Sequence, residues 1–334
     1  MNRTLILLIA VVILGAGAYY LLREEQQGPI SSMVGADREF SVPREEVYKI
    51  FLADRNGNRT TLTRGESGWT YNEKYPARPD AVENLLTAID KIRMRFKPTQ
   101  AAVVNMVEDL ASNGIKVEVY GKENQLLKAY YIGGATNDER GTYIILEGAE
   151  QPYVAEIPSW EGNLRFRYNL TGDDWRDRTI FRVTPEDITR ISVEFPKQQN
   201  KSFRIDYVDG PTVMPFYPLT PKIQRPVKPG KLEAYRNNFE KIIASGFNNL
   251  NSEREEIIQQ IPFVILTVET KDGTPQSLQL FPIYDRPFVD PKTGVTTQPT
   301  DVTAYHGLTH NNDLMMMQNP MVSKILWAYN FFYK

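Results

Sequence analysis

The apolar positions of this chain change period several times, and the changes divide it. Residues 4–22 form one uncharged apolar run, long enough to cross a bilayer as a single helix. Arg3 precedes the run and Arg23-Glu24-Glu25 follows it, a placement that predicts an N-in orientation with everything after Leu22 exported. Ala16-Gly17-Ala18 has the small-x-small form of a cleavage site, so a removable signal peptide is the competing expectation. The run continues through Tyr19-Tyr20-Leu21-Leu22, and aromatic residues suit the interfacial end of a spanning helix, which favours an anchor. Residues 24–44 are polar, with Gly28-Pro29 and Ser31-Ser32, and predict a tether.

From Val47 the pattern shortens to strand-like runs. Residues 47–53 and 59–64 flank Asp54-Arg55-Asn56-Gly57-Asn58, and Asn-Gly between two such runs predicts a hairpin because both turn residues tolerate positive φ. A calcium loop at this place would need acidic residues that are missing. From Pro79 the period becomes helical: Val82, Leu85, Leu86, Ile89 and Ile92 make one apolar stripe, which predicts a helix over 79–93. Strands are expected next at 115–120, 126–132, 142–146 and 153–157.

The order then recurs. Residues 188–195 and 202–207 match the first two strands. Leu232, Tyr235, Phe239, Ile242 and Ile243 predict a second helix over 231–245, and 263–270, 277–281 and 301–305 predict further strands. Residues 211–229 carry prolines at 211, 215, 218, 221, 226 and 229, a spacing that predicts an extended crossing loop rather than helix or sheet interior. A partner-docking role for that loop is the alternative. In 319–334, Val322, Ile325, Leu326, Tyr329 and Phe332 form a last helical stripe, expected to pack into a core.

The expected fold class is therefore α+β, an N-terminal transmembrane helix followed by two duplicated units. Each unit is expected to be a mainly antiparallel sheet with a helix packed on one face. The expected division is an anchor at 1–23, a tether at 24–44, a first repeat at 45–160, a junction at 161–185, and a second repeat at 186–334 that contains the 211–229 insertion.

Composition narrows the chemistry. The chain has 334 residues, enough for two domains beyond the terminal segment, and a formal net charge of −2, which gives no basis for nucleic-acid binding. With no cysteine, thiolate catalysis, disulfides, cysteine-based metal sites and lipid attachment are excluded. The two histidines, His306 and His310, are four apart and followed by Asp313, the one arrangement suited to a metal. Gly307 stands where a zinc-protease motif needs glutamate, and loop histidines near a strand end are the expectation. The segment from Gly133-Gly134 to Gly141 lacks the lysine and following helix of a phosphate loop, and predicts a strand connection. No serine elbow, dinucleotide fingerprint or paired catalytic carboxylates are recognisable, so no enzyme activity and no cofactor are expected.

The most individual segments are Trp160 to Tyr168 and Asp173 to Arg178. Arg165, Arg167, Trp175, Arg176, Asp177 and Arg178 form a candidate ligand or partner site, because alternating Arg and Asp beside Trp suit bidentate clamping of acidic groups and stacking. The competing expectation is an inter-domain seam in which the arginines pair with neighbouring carboxylates.

Several of these segments together resemble the DUF4340 family. They are Gly68-Trp69-Thr70, the helix opening Pro79-Asp80-Ala81-Val82-Glu83-Asn84-Leu85-Leu86, then Tyr131-Ile132-Gly133-Gly134, Gly141-Thr142-Tyr143-Ile144, Pro152-Tyr153-Val154, and Trp175-Arg176-Asp177-Arg178 with Pro185-Glu186-Asp187-Ile188. The resemblance runs from about residue 47 to 306. It implies a bacterial, membrane-anchored extracytoplasmic protein with no assigned activity, and an association with ABC transport systems of the gliding-motility type. It offers no catalytic residues, and 211–229 has no counterpart in it. The expected role is thus a non-enzymatic accessory or scaffold subunit of an envelope transport assembly at the inner (cytoplasmic) membrane, with its main domain periplasmic. A tethered binding module for a glycan or acidic solute is the alternative, and a metal-dependent hydrolase comes third.

Overall fold

The computed structural model describes residues 39–284, 288–289, 296–297 and 301–334, and the first hairpin within them forms as its turn chemistry dictates. Strand β1 (Lys49–Ala53) pairs antiparallel with β2 (Arg59–Gly65). The Asp54 carboxylate accepts from the Asn56 and Asn58 backbone N–H groups, each at 2.9 Å, and from Asn58 Nδ2 at 2.7 Å. Gly57 takes φ +87°, a left-handed conformation that costs glycine little. The expected anchor at 4–22 and most of the tether lie outside the described residues. Among the described residues, no helix is long and apolar enough to cross a membrane.

The chain divides into two compact units, Met1–Trp175 and Arg176–Lys334, and the division falls inside the segment expected to be a junction. In unit one, β1 and β2 are followed by β3 (Gly68–Tyr71), β4 (Tyr75–Pro76), helix α1 (Pro79–Lys91), β5 (Arg93–Phe96), helix α2 (Gln100–Asn113), β6 (Ile115–Tyr120), β7 (Leu126–Ala135), β8 (Thr142–Leu146) and β9 (Tyr153–Glu156). The strands make one nine-stranded antiparallel sheet in the order β4-β3-β2-β1-β6-β7-β8-β9-β5. Buried residues alternate along β1 and β6, as one core-facing side requires. Against that side α1 buries Val82, Leu85, Leu86 and Ile89, each contributing roughly 1.5–3 kcal/mol of gross burial energy. The helix stops at Lys91, short of the expected 93, because Arg93 already pairs with Glu156 in the sheet.

Helix α2 was not marked by the apolar pattern and lies on the opposite side of the sheet. Ile132 of β7 belongs to the core under α1, while the next residue, Gly133, meets α2. A Cβ built on Gly133 would lie 2.5 Å from Asp109 Oδ2 and 3.1 Å from Leu110 Cδ2, and the Gly134 N–H donates to Asp109 Oδ2 at 2.6 Å. The glycine pair is a seat for a helix. The expected single helix-covered face is therefore corrected: helices cover both.

Unit two contains β10 (Thr179–Phe181), β11 (Ile188–Glu194), β12 (Phe203–Asp206), β13 (Thr212–Pro215), α3 (Lys231–Asn237), β14 (Ile242–Ile243), β15 (Gly246–Phe247), α4 (Arg254–Gln259), β16 (Val264–Thr270), β17 (Gln276–Tyr284), β18 (Phe288–Val289), β19 (Thr296–Thr297), β20 (Val302–Thr309), β21 (Leu314–Gln318) and α5 (Asn319–Val322). Its main sheet is eight-stranded and antiparallel, in the order β13-β12-β11-β16-β17-β20-β21-β15. One side carries a large core with Leu232, Tyr235, Phe239, Leu280 and Met315. Phe281 and Leu314, their chain neighbours on the other side, pack with Ile257 of α4.

The helix expected over 231–245 ends at Asn237. Ile242 and Ile243 keep helical spacing but pair with Phe181 and Thr179 instead. The C-terminal stripe is likewise broken into α5 and a 3-10 turn at Tyr329–Phe332, although Val322, Ile325, Tyr329 and Phe332 all reach the core. Residues 211–229 open as β13 and end tied to the C-terminus, where Lys228 N–H donates to the Phe332 carbonyl at 2.8 Å.

Prolines stand at the outermost strands. Phe216 N–H donates to the Ser202 carbonyl, so 212, 214 and 216 bond inward to β12 while 211, 213 and 215 point away. Of those three outward positions only Val213 has an N–H to offer. In unit one, Ala77 N–H donates to Trp69, which turns the position of Pro76 outward on β4. These two edges, β4 and β13, are poor in donors where an added strand would need them.

Candidate functional site

In unit one the candidate arginines stand on a 3-10 turn, Leu164–Arg167, that is fixed from within. Leu164 and Tyr168 are buried, the Tyr168 hydroxyl is 3.3 Å from that of Tyr130, and Asn163 accepts from the Arg165 N–H at 2.9 Å. Thr142, wholly buried, accepts from the Leu164 N–H at 2.7 Å. With its ends held, the turn sends Arg165 and Arg167 to different partners.

Arg167 donates to the Asn84 carbonyl at 3.1 Å and lies over the rings of Trp160 and Phe166, at 5.0 and 5.1 Å from their centres. Its Nε is buried without a hydrogen-bond partner, and burial lowers its pKa. Arg165 donates to the Ile132 carbonyl at 3.3 Å and faces a cleft of about 340 Å³. The cleft lies between the β1–β2 turn, the end of α2 and residues 169–171, with Asp54, Arg55, Asn56, Asn113, Asn169 and Thr171 on its wall. Burial pushes the Asp54 carboxyl up, but donors from Asn58 and Asn56 and the charge of Arg165 together hold it below the usual carboxylate range.

Trp175, the last residue of unit one, is fully buried in that unit's core, and its indole donates to the Leu170 carbonyl at 2.7 Å. A ring with no exposed face has nothing to stack a ligand on. Its own carbonyl accepts from the Arg78 N–H at 2.8 Å, at the start of α1.

Unit two begins with Arg176, which is also buried. Its guanidinium grips both oxygens of Asp313, at 3.1 and 2.7 Å, and lies 4.1 Å from the centre of the Phe247 ring. Asn249 donates to the same carboxylate at 2.9 Å and accepts from the Leu314 N–H at 2.8 Å. Asp177 caps its own turn, accepting from the Thr179 N–H and hydroxyl and from Arg182. Arg178 donates to the Ser245 carbonyl and accepts from the Ala244 N–H, edge contacts beside the β10–β14 pair.

One of the two histidines departs from expectation. His306 is not in a loop but inside β20, because that strand runs on to Thr309. Its Nδ1 is 3.3 Å from Asn248 Nδ2, and burial lowers its pKa. His310 follows the strand, exposed, its N–H bonded to the Ser277 carbonyl. Asp313 is engaged by Arg176 and Asn249, and among the described residues no three acidic or histidine side chains converge as metal ligands would.

The candidate residues thus separate into an arginine facing a polar cleft, an arginine stacked on aromatics, a core tryptophan and three structural groups in unit two. The wall residues Asp54, Arg55, Asn113 and Asn169 were not singled out from sequence, since they lie far apart along it; the Asn-Gly turn was the one local signal for part of that wall.

Comparison with known families identifies the chain. The model of a domain of unknown function, DUF4340, matches residues 69–260, more than half of the chain, and the protein belongs to that family. No curated protein and no solved structure matches it.

Proposed function

We propose that this DUF4340 protein is a non-enzymatic, membrane-anchored accessory or scaffold subunit of an ABC-type envelope transport assembly, with residues 4–22 as the anchor and its main domain periplasmic. One observation carries the reading: the strand orders of the two main sheets can be laid against each other. With the outermost β4 set aside, β3-β2-β1-β6-β7-β8-β9-β5 lines up with β13-β12-β11-β16-β17-β20-β21-β15. The helices fall at the same places, α1 with α3 and α2 with α4, each pair preceding the corresponding strands. This supports a duplicated unit, built to present surface rather than to enclose one reaction centre. The uncharged run after Arg3 supports an anchor with the units exported.

Purification of the tagged full-length chain from detergent-solubilised membranes of its own host tests the proposal. A transporter subunit recovered in stable proportion is the expected result; a monomer that emerges alone in every detergent sinks it. A second reading, a binding module for a glycan or acidic solute, is favoured by the polar cleft of unit one, which holds two guanidinium groups beside one already engaged carboxylate.

A further inference from the structure

We infer that the cleft of unit one binds a small hydroxy acid, of the size and chemistry of a uronic acid; the inference rests on the second reading and gives it a site. The cavity of about 340 Å³ is at the lower end of the size range of small-molecule sites. Its charge is biased. Arg55 and Arg165 bring two positive charges to the wall, and Asp54 brings one negative, leaving a balance of one positive charge. Among the described residues neither arginine forms an ion pair; apart from the Arg165 bond to the Ile132 carbonyl, their guanidinium donors are open to a ligand carboxylate. Asp54 is not a competitor for them, since three donors of its own turn occupy its two oxygens.

The rest of the wall suits hydroxyl groups. The side chains of Asn56, Asn169 and Thr171 have no hydrogen-bond partner among the described residues, and each can donate and accept. Ser112 and Asn113 end α2, where the last helical carbonyls lack intrahelical partners and can accept from a hydroxyl. No aromatic ring lines the cleft, which removes the stacking platform a neutral sugar ring would use. Carboxylate recognition by arginine with hydroxyl recognition by amides is what remains.

The test is calorimetric titration of the full-length chain in detergent with D-glucuronate, and with D-glucose and inorganic phosphate as the neutral and non-hydroxylated probes. Saturable glucuronate binding is expected, with glucose and phosphate each at least about tenfold weaker, the loss of one charge-assisted contact or of the hydroxyl set. Arg165→Gln should weaken glucuronate by at least about tenfold with the unfolding midpoint unchanged. Arg55→Gln, at an exposed turn, should act in the same direction and leaves no doubt about folding. Phosphate binding as tight as glucuronate overturns the hydroxy-acid assignment. Glucuronate binding that is untouched in the double variant overturns the cleft. A neutral glycan bound equally by wild type and double variant, with no acid bound, sinks the cleft but leaves the second reading standing; no binding of any of these at about 10 mM sinks both.

Discussion

Arg176 shows how a single side chain can look like a ligand clamp and be a structural one. Its guanidinium fits a carboxylate in the bidentate manner expected of a binding site, but the carboxylate is Asp313, 137 residues away, and both side chains are largely shielded, at 11% and 19% exposure. Replacing Arg176 with Ala leaves a partly buried carboxylate held only by Asn249, and should cost about 3 kcal/mol. Arg176→Lys keeps the charge but loses the fork and should cost less than the alanine change. Midpoints of urea unfolding check both; equal stability of all three proteins would contradict the pairing. Sequence alone singled out Arg176 as a candidate ligand or partner contact, from its place beside Trp175 and Asp177. It had no access to Asp313, because an ion pair across that separation leaves no local spacing to read.

At the scale of elements, what periodicity catches is a stripe. Helix α1 has one, with charge opposite, and was visible; α2 carries Ala101, Ala102, Val103, Val104, Met106 and Val107 around much of its circumference and was not. Its binding surface is written instead in Gly133 and Gly134, which read as a loop feature when seen without the helix that covers them. Gly133→Ala should therefore destabilise unit one by about 1–3 kcal/mol through overpacking against Asp109 and Leu110. Gly65→Ala, where the nearest atom is 3.4 Å away, is the control and should be close to neutral. Chemical denaturation separates them, and equal effects would argue against the helix seat. The opposite error occurred at 231–245, where helical spacing of Ile242 and Ile243 concealed a strand pair with β10. Spacing names a face, but only the neighbour decides whether a helix or a strand presents it.

For the molecule as a whole, the two large cores share no residue: one runs from Phe40 to Trp175, the other from Ile180 to Tyr333. A fragment of residues 176–334 should accordingly fold without unit one and unfold in a single cooperative transition, followed by circular dichroism and tryptophan fluorescence. A fragment without a transition would mean that its core depends on the first unit. Strands such as β1, β6 and β16 were legible because each alternates over one buried face. The helices on the second faces were not, since those contacts are few and rest on glycine and isolated apolar residues.

The prolines at 76, 211 and 215 restrict how anything can join this protein. A companion that docked by backbone zippering, whether another copy of the chain or an extended peptide, would find those two rims nearly silent. At those two rims recruitment is left to side-chain chemistry on faces and loops, whereas β5 and β15, the opposite ends of the two sheets, carry no proline. A point substitution on those surfaces should be able to abolish an association outright, in a way seldom possible where main-chain bonds hold the partners together.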